Sequence, residues 1–448
     1  MHTNNKNLYV MKRIIALSLA MMVTSAATLF AQQGYKVDEE GLNKKIAKSD
    51  AAIADLKKSE KASTWVDRGD LFIKVAEAPV AGLYKNQDIV TAGVLFGKTQ
   101  KGKEKIGDVE YVTNKFSYFK VYSKPNGNIE FWDQTKFVDK NALRKATDAF
   151  YKAYELDNKN SKVKKGLGEV VNLYKTDADN FFSMRRYADA SGAFAKAYEL
   201  QLHPSIMVID TNSVYNAGLL ATFAGKYDDG LKYLTEAYKL DDFNNGDTYY
   251  YMYYCYFGQK KYKEAKDILF EGLSKFPDNK DIVEGLLNVY IQSGEDPSEI
   301  IPIVKKAVDA APKNPVLWGG LGRIYDALKQ PSDAVEAFEQ VVKLAPKDAD
   351  NNYNLGLLYT KKGDALNKEI NSKSFPSQKE YDAALNEVKD VYQQAIPSLE
   401  KALELRPNNL ATVELLKNIC FRVRDREGMK EKYDKYQALF DQLQGSAQ

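Results

Sequence analysis

Between Pro315 and Pro346 apolar side chains recur at helical spacing. Trp318, Leu321 and Tyr325 fall three and four residues apart, so they share one face of a helix predicted over 315–327. Gly322 lies on that face and, lacking a side chain, lets a neighbour approach. A second helix is predicted over 331–344. Pro331 suits its first turn, where a missing N–H costs nothing. Ala334 and Phe338 turn back toward the first helix, and Pro346 ends the pair because it cannot continue a helix. A pair this small buries too little apolar surface alone, so other pairs must stack on it.

Aromatic, Leu-Gly, Tyr, Ala, Phe and Pro, all in register over Trp318, Leu321, Gly322, Tyr325, Ala334, Phe338 and Pro346, resemble the signature of the tetratricopeptide repeat family. The resemblance implies an all-α solenoid of about eight helix pairs, each an A helix followed by a B helix. It implies that the A helices line a concave groove that binds protein or peptide, without a cofactor.

The same pattern returns along the chain. Residues 32–61 read as a lead-in helix with Leu42, Ile46, Ile53 and Leu56 on its apolar side. A first repeat spans 62–158. Trp65, Gly69 and Phe72 give its first half, with Arg68 where Leu is usual, and Leu143, Ala146, Phe150 and Ala153 give its second. An insertion over 77–140 splits it, and such insertions map to loops on one face of an array. The expected arrangement is a module docked on the first helix pair. Within it, the aromatic and β-branched run 116–122, the turn at Pro125, Asn126 and Gly127, and the run 129–132 predict a β-hairpin. Lys98, Lys101, Lys103 and Lys105 read as a solvated loop.

Repeats two to six occupy 171–346. The second carries Tyr174, Ala178 and Ala190, and the third Ala217 and Gly218. The fourth carries Tyr249, Tyr256 and Ala265, the fifth Leu287 and Ile291, and the pair at 315–346 is the sixth. The seventh, 349–407, has Leu355, Gly356, Tyr359 and a closing Pro407, and an inserted hairpin over 361–391 lengthens both helices. Residues 410–448 keep Leu416 and Cys420 and are charged outside, as a terminal capping pair should be.

The first 31 residues differ in kind. Lys12 and Arg13 precede an apolar run from Ile14 to Val23, followed by Ser25, Ala26, Ala27 and Ala31. This pattern is that of a secretory leader cleaved after Ala27 or Ala31, with Met11 the better start. The run is shorter than the ~20 residues a spanning helix needs. The formal net charge of +3 resides in Lys6, Lys12 and Arg13, and a leader removed at Ala31 leaves a neutral chain. A neutral protein has no general pull on nucleic acid or anionic lipid. With 44% hydrophobic and 28% charged residues, the chain has the composition of a folded protein rather than a disordered one. Cys255 and Cys420, several repeats apart, read as small core residues rather than a disulfide.

Catalytic chemistry finds few residues. With two histidines, His2 in the leader and His203 beside Pro204, no triad and no histidine-rich metal site can be built. No catalytic or metal-ligating residues are assigned. Asp228 with Asp229 and Asp241 with Asp242 fall at helix ends or turns, where capping and solvation explain them. A family clamp for carboxylate tails is matched at Lys175 and Asn216 but contradicted by Asp179, Asp247 and Tyr251. An acid there repels a carboxylate.

The unusual feature is the run Tyr249, Tyr250, Tyr251, Tyr253, Tyr254, Tyr256 on one predicted A helix. Tyr249 and Tyr256 take packing positions. Tyr253 stands where Gly or Ala is usual, which predicts a splayed pair. Tyr250 and Tyr254 share the other face, and with Tyr215, Arg323 and Tyr353 they form the candidate binding groove, exposed to solvent; Trp318, Gly322, Tyr325 and Phe338 are expected between helices. Tyrosine suits binding because it offers large area at low entropic cost together with a hydroxyl. These features predict a non-catalytic envelope scaffold for protein or peptide. The rival readings are an enzyme or small-ligand binder with its site in the 77–140 insertion, and a structural subunit of an envelope assembly.

Overall fold

The computed structural model describes residues 35–125 and 127–445. The expected leader over 1–31 and Asn126 of the expected turn lie outside these. The described residues form nineteen α-helices and four strands, and the chain divides into two compact units, Met1–Ala224 and Gly225–Gln448.

In the first unit, α1 (Glu39–Ala54) is opened by Asp38, whose carboxylate accepts from the Gly41 N–H. Asp55 then interrupts the helix. Its backbone is extended and its carboxylate accepts from the Lys57 and Lys58 N–H groups, which starts the single turn α2 (Leu56–Ser59). Leu56, expected on the apolar side of one continuous helix, is therefore 83% exposed. α3 (Ala62–Glu77) packs on α5 (Ala142–Leu156), with Val66, Phe72, Ala146, Phe150 and Ala153 in one buried cluster. The fully buried Phe150 ring fills a slot between two glycines. A Cβ at Gly69 of α3 would lie 2.5 Å from it, and one at Gly166 of α6 (Ser161–Ser183) would lie 2.1 Å from it.

Between α3 and α5 lie α4 (Ile89–Phe96) and the strands β1 (Gln100–Ile106), β2 (Val109–Lys115), β3 (Phe119–Ser123) and β4 (Ile129–Gln134), an antiparallel sheet in sequence order. Its core is Ala92, Phe116, Phe119, Val121 and Ile129. The sequence reading anticipates only its second half. The lysines taken as a loop lie in and beside β1, whose side chains are almost all exposed. Of these, Lys103 pairs with Glu110 of β2 at 2.9 Å, and Glu104 of β1 pairs with Lys120 of β3 at 2.6 Å. Lysine on an edge strand guards an open row of backbone groups against further pairing.

The insertion touches the first pair at Val138 and through Asp139 with Lys145, and it also bonds beyond that pair. The Trp132 N–H donates to Asn180 Oδ1 of α6 at 3.1 Å. Arg186 lies 3.3 Å from Asp133, and Tyr118 and Lys136 both bond Glu39 of α1. After α6 come α7 (Tyr187–Gln201) and α8 (Thr211–Phe223), joined where the Ser191 hydroxyl donates to the Ala217 carbonyl at 2.7 Å.

The second unit opens with α9 (Tyr227–Lys239) and continues as five helix pairs: α10 (Asp247–Gly258) with α11 (Tyr262–Lys275), α12 (Lys280–Ser293) with α13 (Ile301–Ala310), α14 (Pro315–Ala327) with α15 (Pro331–Leu344), α16 (Ala349–Ser372) with α17 (Gln378–Leu405), and α18 (Leu410–Arg422) with α19 (Met429–Gly445). Four joints repeat one device. Pro277, Pro312, Pro346 and Pro407 each follow a B helix, and two residues later Asn279, Asn314, Asp348 and Asn409 accept from the first free N–H groups of the next A helix.

Glycine seats the B-helix side chains. A Cβ at Gly322 would meet the Phe338 ring at 2.5 Å, and one at Gly356 would meet Leu399 at 2.4 Å. α16 and α17 run on to 24 and 28 residues, paired by the Tyr392 ring over Gly363. In α12 the expected register is one residue late. Ile291 is 49% exposed, and Leu286 and Tyr290 are the buried residues. Cys255 and Cys420 are both buried and not in a disulfide, and burial raises the Cys420 thiol to about 11.

Candidate functional site

α10 has two kinds of tyrosine, set by helical spacing. Tyr249, fully buried, stacks on Phe243 at 5.6 Å, and its hydroxyl is raised to about 12, chiefly by burial. Tyr253 is also buried. Its ring is turned to the next A helix, where Gly285 of α12 makes room; a Cβ there would sit 3.0 Å from the ring. Tyr250, Tyr251 and Tyr254 lie on the remaining face, Tyr254 being 44% exposed and the other two half-buried.

The rings continue as a series. Tyr250 is 5.6 Å from Tyr253, Tyr253 is 5.6 Å from Phe257, and Phe257 is 5.7 Å from Tyr262. Tyr227 of α9 meets Tyr254 edge-on at 6.5 Å. Together with Asn288 and Gln292 of α12 and Lys260 they line an open depression of about 520 Å³. Burial, followed by the charge of Asp281, pushes the Tyr250 hydroxyl well above the usual tyrosine range. The Tyr251 hydroxyl is likewise pushed up, by burial and then by the charge of Asp247.

The other expected groove residues are scattered. Arg323 on α14 is half-buried, with Nη2 3.6 Å from Glu284 of α12. Tyr353 on α16 is half-buried against the cluster shared by α16 to α19. Tyr215 overturns its expectation: it is buried, with 6% of its surface exposed. Its helix α8 is buried from Ser213 through Thr222. The cause is legible in hindsight, since Thr211–Phe223 carries no charged side chain on any face, and a helix without a charged face is enclosed.

Among the packing residues, Gly69, Phe72, Gly218, Leu321, Gly322, Tyr325, Ala334, Phe338 and Gly356 are buried. Tyr359 is half-buried and bonds Glu339. Trp65 and Trp318 are half-exposed rather than enclosed, each donating its indole N–H to a turn carbonyl, of Ser59 at 2.8 Å and Pro312 at 2.9 Å. Pro346 and Pro407 are exposed in the joints. The polar members of the face, Asp281, Glu284, Asn288 and Gln292, were missed. They recur at three and four residues along α12, and the one-residue register error concealed them.

His203 stands in the turn after α7, stacked on Tyr151 at 4.6 Å, with Nδ1 2.8 Å from the Ser205 hydroxyl; burial lowers its pKa. Among the described residues no group of His, Cys, Asp and Glu could hold a metal ion. No described helix is long and apolar enough to cross a membrane.

Residues 290–355, from the end of α12 to the start of α16, match the tetratricopeptide repeat family model. Over that stretch the chain carries the tetratricopeptide repeat pattern. Tyr253 stands where the repeat pattern expects a small residue, and Gly285 of α12 leaves room for its ring, while Gly272 of α11 lies against Tyr249. Among solved structures, a TPR repeats protein from Bacteroides fragilis NCTC 9343 is similar at 18% identity over 56% of this chain and 97% of its own, with a TM-score of 0.30. YrrB, described as a TPR protein with an unusual peptide-binding site, is similar at 21% identity over 50% of this chain and 98% of its own, with a TM-score of 0.29. MamA is similar at 20% identity over 44% and 96%, with a TM-score of 0.30. No curated protein is similar enough in sequence to count as a match.

Proposed function

We propose that this protein is a non-catalytic tetratricopeptide scaffold, exported to the periplasm or envelope of a bacterium, that binds protein or peptide partners on the A-helix face of its second unit. The observation that carries the reading is the depression between α10 and α12, where solvent-facing tyrosines meet the side-chain amides of Asn288 and Gln292. Rings supply area, and amides and hydroxyls can bond a peptide backbone. Tyr250, Tyr254, Arg323 and Tyr353 stay in the binding surface, and buried Tyr215 leaves it. Export rests on the basic, apolar and small-residue pattern of 1–31.

The test is affinity capture of the tagged full chain from the envelope fraction of its own cells, with identification of partners and N-terminal sequencing of the captured protein. Discrete partners and a start at or near Gln32 are expected. Tyr254→Ala, a change at an exposed ring, and the double change with Tyr250→Ala should lose those partners while circular dichroism shows the fold intact. Partners retained by both folded variants would refute the binding face. Protein recovered from the cytoplasm with Lys12 and Arg13 still attached would refute export.

A further inference from the structure

Strand register gives the sheet of the insertion two unlike faces. Residues directly opposite each other on paired strands share a face. Lys101, Lys103 and Lys105 of β1 stand opposite Asn114, Val112 and Glu110 of β2, and Asn114 and Val112 stand opposite Val121 and Ser123 of β3. Val121 shares one buried core with Ala92 of α4, so the three lysines are on the α4 side of the sheet. The other side carries the packed rings of Tyr111, Tyr122 and Phe131, with Tyr122 stacked on Phe131 at 4.6 Å, and there Glu104 pairs with Lys120.

α4 turns an apolar side to solvent. Val90 and Val94 lie one turn apart and are 70% and 62% exposed, while Ala92 is enclosed against the sheet. Val112, opposite Lys103, is open to solvent too. The link from α4 to β1 adds exposed Lys98. The lysines of β1 are exposed, and Lys103 is paired with Glu110, the acid on its own face. Among the described residues Lys98, Lys101 and Lys105 make no ion pair. This side of the module therefore sets Lys98, Lys101, Lys103 and Lys105 against Glu110, with Asp108 in the β1–β2 turn, beside exposed valines. Guarding an open edge explains charge on β1, but it does not call for bare valines next to that charge.

We propose that this side of the insertion rests on an anionic lipid surface, with Val90 and Val94 at the boundary between headgroups and acyl chains and the lysines on lipid phosphates. A lysine ammonium is a hydrated point charge on a long apolar stem, so it reaches phosphates without needing a fixed geometry. Buried apolar area and attraction to anionic headgroups add together in interfacial binding, and this surface offers both. An acidic protein segment would answer the lysines but gives the valines no apolar layer to enter, so the valines favour lipid. The tyrosines of α10 take no part, and the claim stands apart from peptide binding.

The probes are vesicles of phosphatidylcholine alone and of phosphatidylcholine with phosphatidylglycerol in equal parts, floated on a density gradient with the purified full chain. Every variant keeps the same N-terminus, so differences between variants report the insertion and not residues 1–31. Binding to the anionic vesicles is expected to exceed binding to the neutral ones and to fall as salt rises. The double change Lys101→Gln with Lys105→Gln should weaken it roughly thirtyfold, and Val94→Ser roughly fivefold. These side chains are exposed, so circular dichroism should show the fold unchanged. Val94→Cys can be labelled selectively with an environment-sensitive dye, because Cys255 and Cys420 are buried. The dye should brighten and shift to the blue on anionic vesicles. The proposal is overturned if anionic vesicles are not bound, if the lysine double change leaves their binding as it was, or if the dye stays in water while the chain is bound. A fluorescent glutamate-rich peptide is the counter-probe. If it binds through Lys101 and Lys105 while the vesicles do not, the surface serves an acidic protein segment and the lipid claim is refuted.

Discussion

Two glycines on one turn of α6 should respond in opposite directions to the same substitution. Gly166 and Gly168 lie inside the helix Ser161–Ser183. An added Cβ at Gly168 meets nothing within 4 Å, whereas one at Gly166 would lie 2.1 Å from the Phe150 ring. Ordinary contact begins at 3.4 Å, so the ring would have to retreat by more than 1 Å, that is, about a bond length. It has nowhere to go, because Gly69 of α3 is pressed on the same ring, and Phe150 is fully buried.

Alanine in place of glycine favours any helix interior by about 1 kcal/mol. Gly168→Ala should therefore stabilise by about that much. At Gly166 the same gain is set against an overpacking cost of about 1–3 kcal/mol, so the variant should be neutral to about 2 kcal/mol less stable, and below Gly168→Ala in every case. Urea denaturation followed by circular dichroism measures both. Phe150→Leu, which thins the ring, should cost stability by itself and cost less in the Gly166→Ala background. That coupling is diagnostic of a shared space. Equal stabilisation by the two alanines, or strict additivity with Phe150→Leu, would refute the slot between α3, α5 and α6.

Phe338→Ala empties the ring that covers Gly322 and should cost about 3–5 kcal/mol, as for other buried aromatics; a urea midpoint close to wild type would mean that α14 and α15 are not held by this contact. Burial raises the carboxyl of Asp177, half-buried on α6, to about 6. Its unfolded value is lower, so between about pH 4 and 6 the folded state holds a proton that the unfolded state has lost, and this group's contribution makes stability fall as pH rises through that window. Asp177→Asn should then raise the melting temperature more at pH 7 than at pH 4; an equal effect at both would show that the carboxyl titrates normally.

The repeats were legible because each consists of a local code. In a pair that no insertion interrupts, a glycine that seats an aromatic ring, as Gly322 seats Phe338, lies at the spacing the repeat sets, so spacing identifies the pair. A second local signal went unused. At Pro277, Pro312, Pro346 and Pro407 a capping Asn or Asp stands two residues on, and using it would have fixed the register of α12 by placing its cap at Asn279. With that register, Asp281, Glu284 and Asn288 fall on the face beside the tyrosines and Ile291 does not enter the core.

What was not legible depends on neighbours remote in sequence. The first two strands of the insertion have no sustained apolar alternation to mark them; β1 is held by pairing with β2, β2 by pairing with β3, and ion pairs between strands such as Lys103 with Glu110 add to this. The seat of the insertion was hidden for the same reason, since Asn180 and Arg186 on the second pair carry no sign of the strand they will bind. Tyr253 shows how the two kinds of information combine. Its identity breaks the repeat pattern and predicts a splayed pair, but the pattern only says that a small residue is needed somewhere along the contact. Gly285 of α12 leaves that space, so the large ring fills the gap between successive A helices. The ring that fills the gap also forms part of the depression floor beside Tyr250. A departure from the packing code at one residue thus also contributes to the surface that the proposed binding face uses.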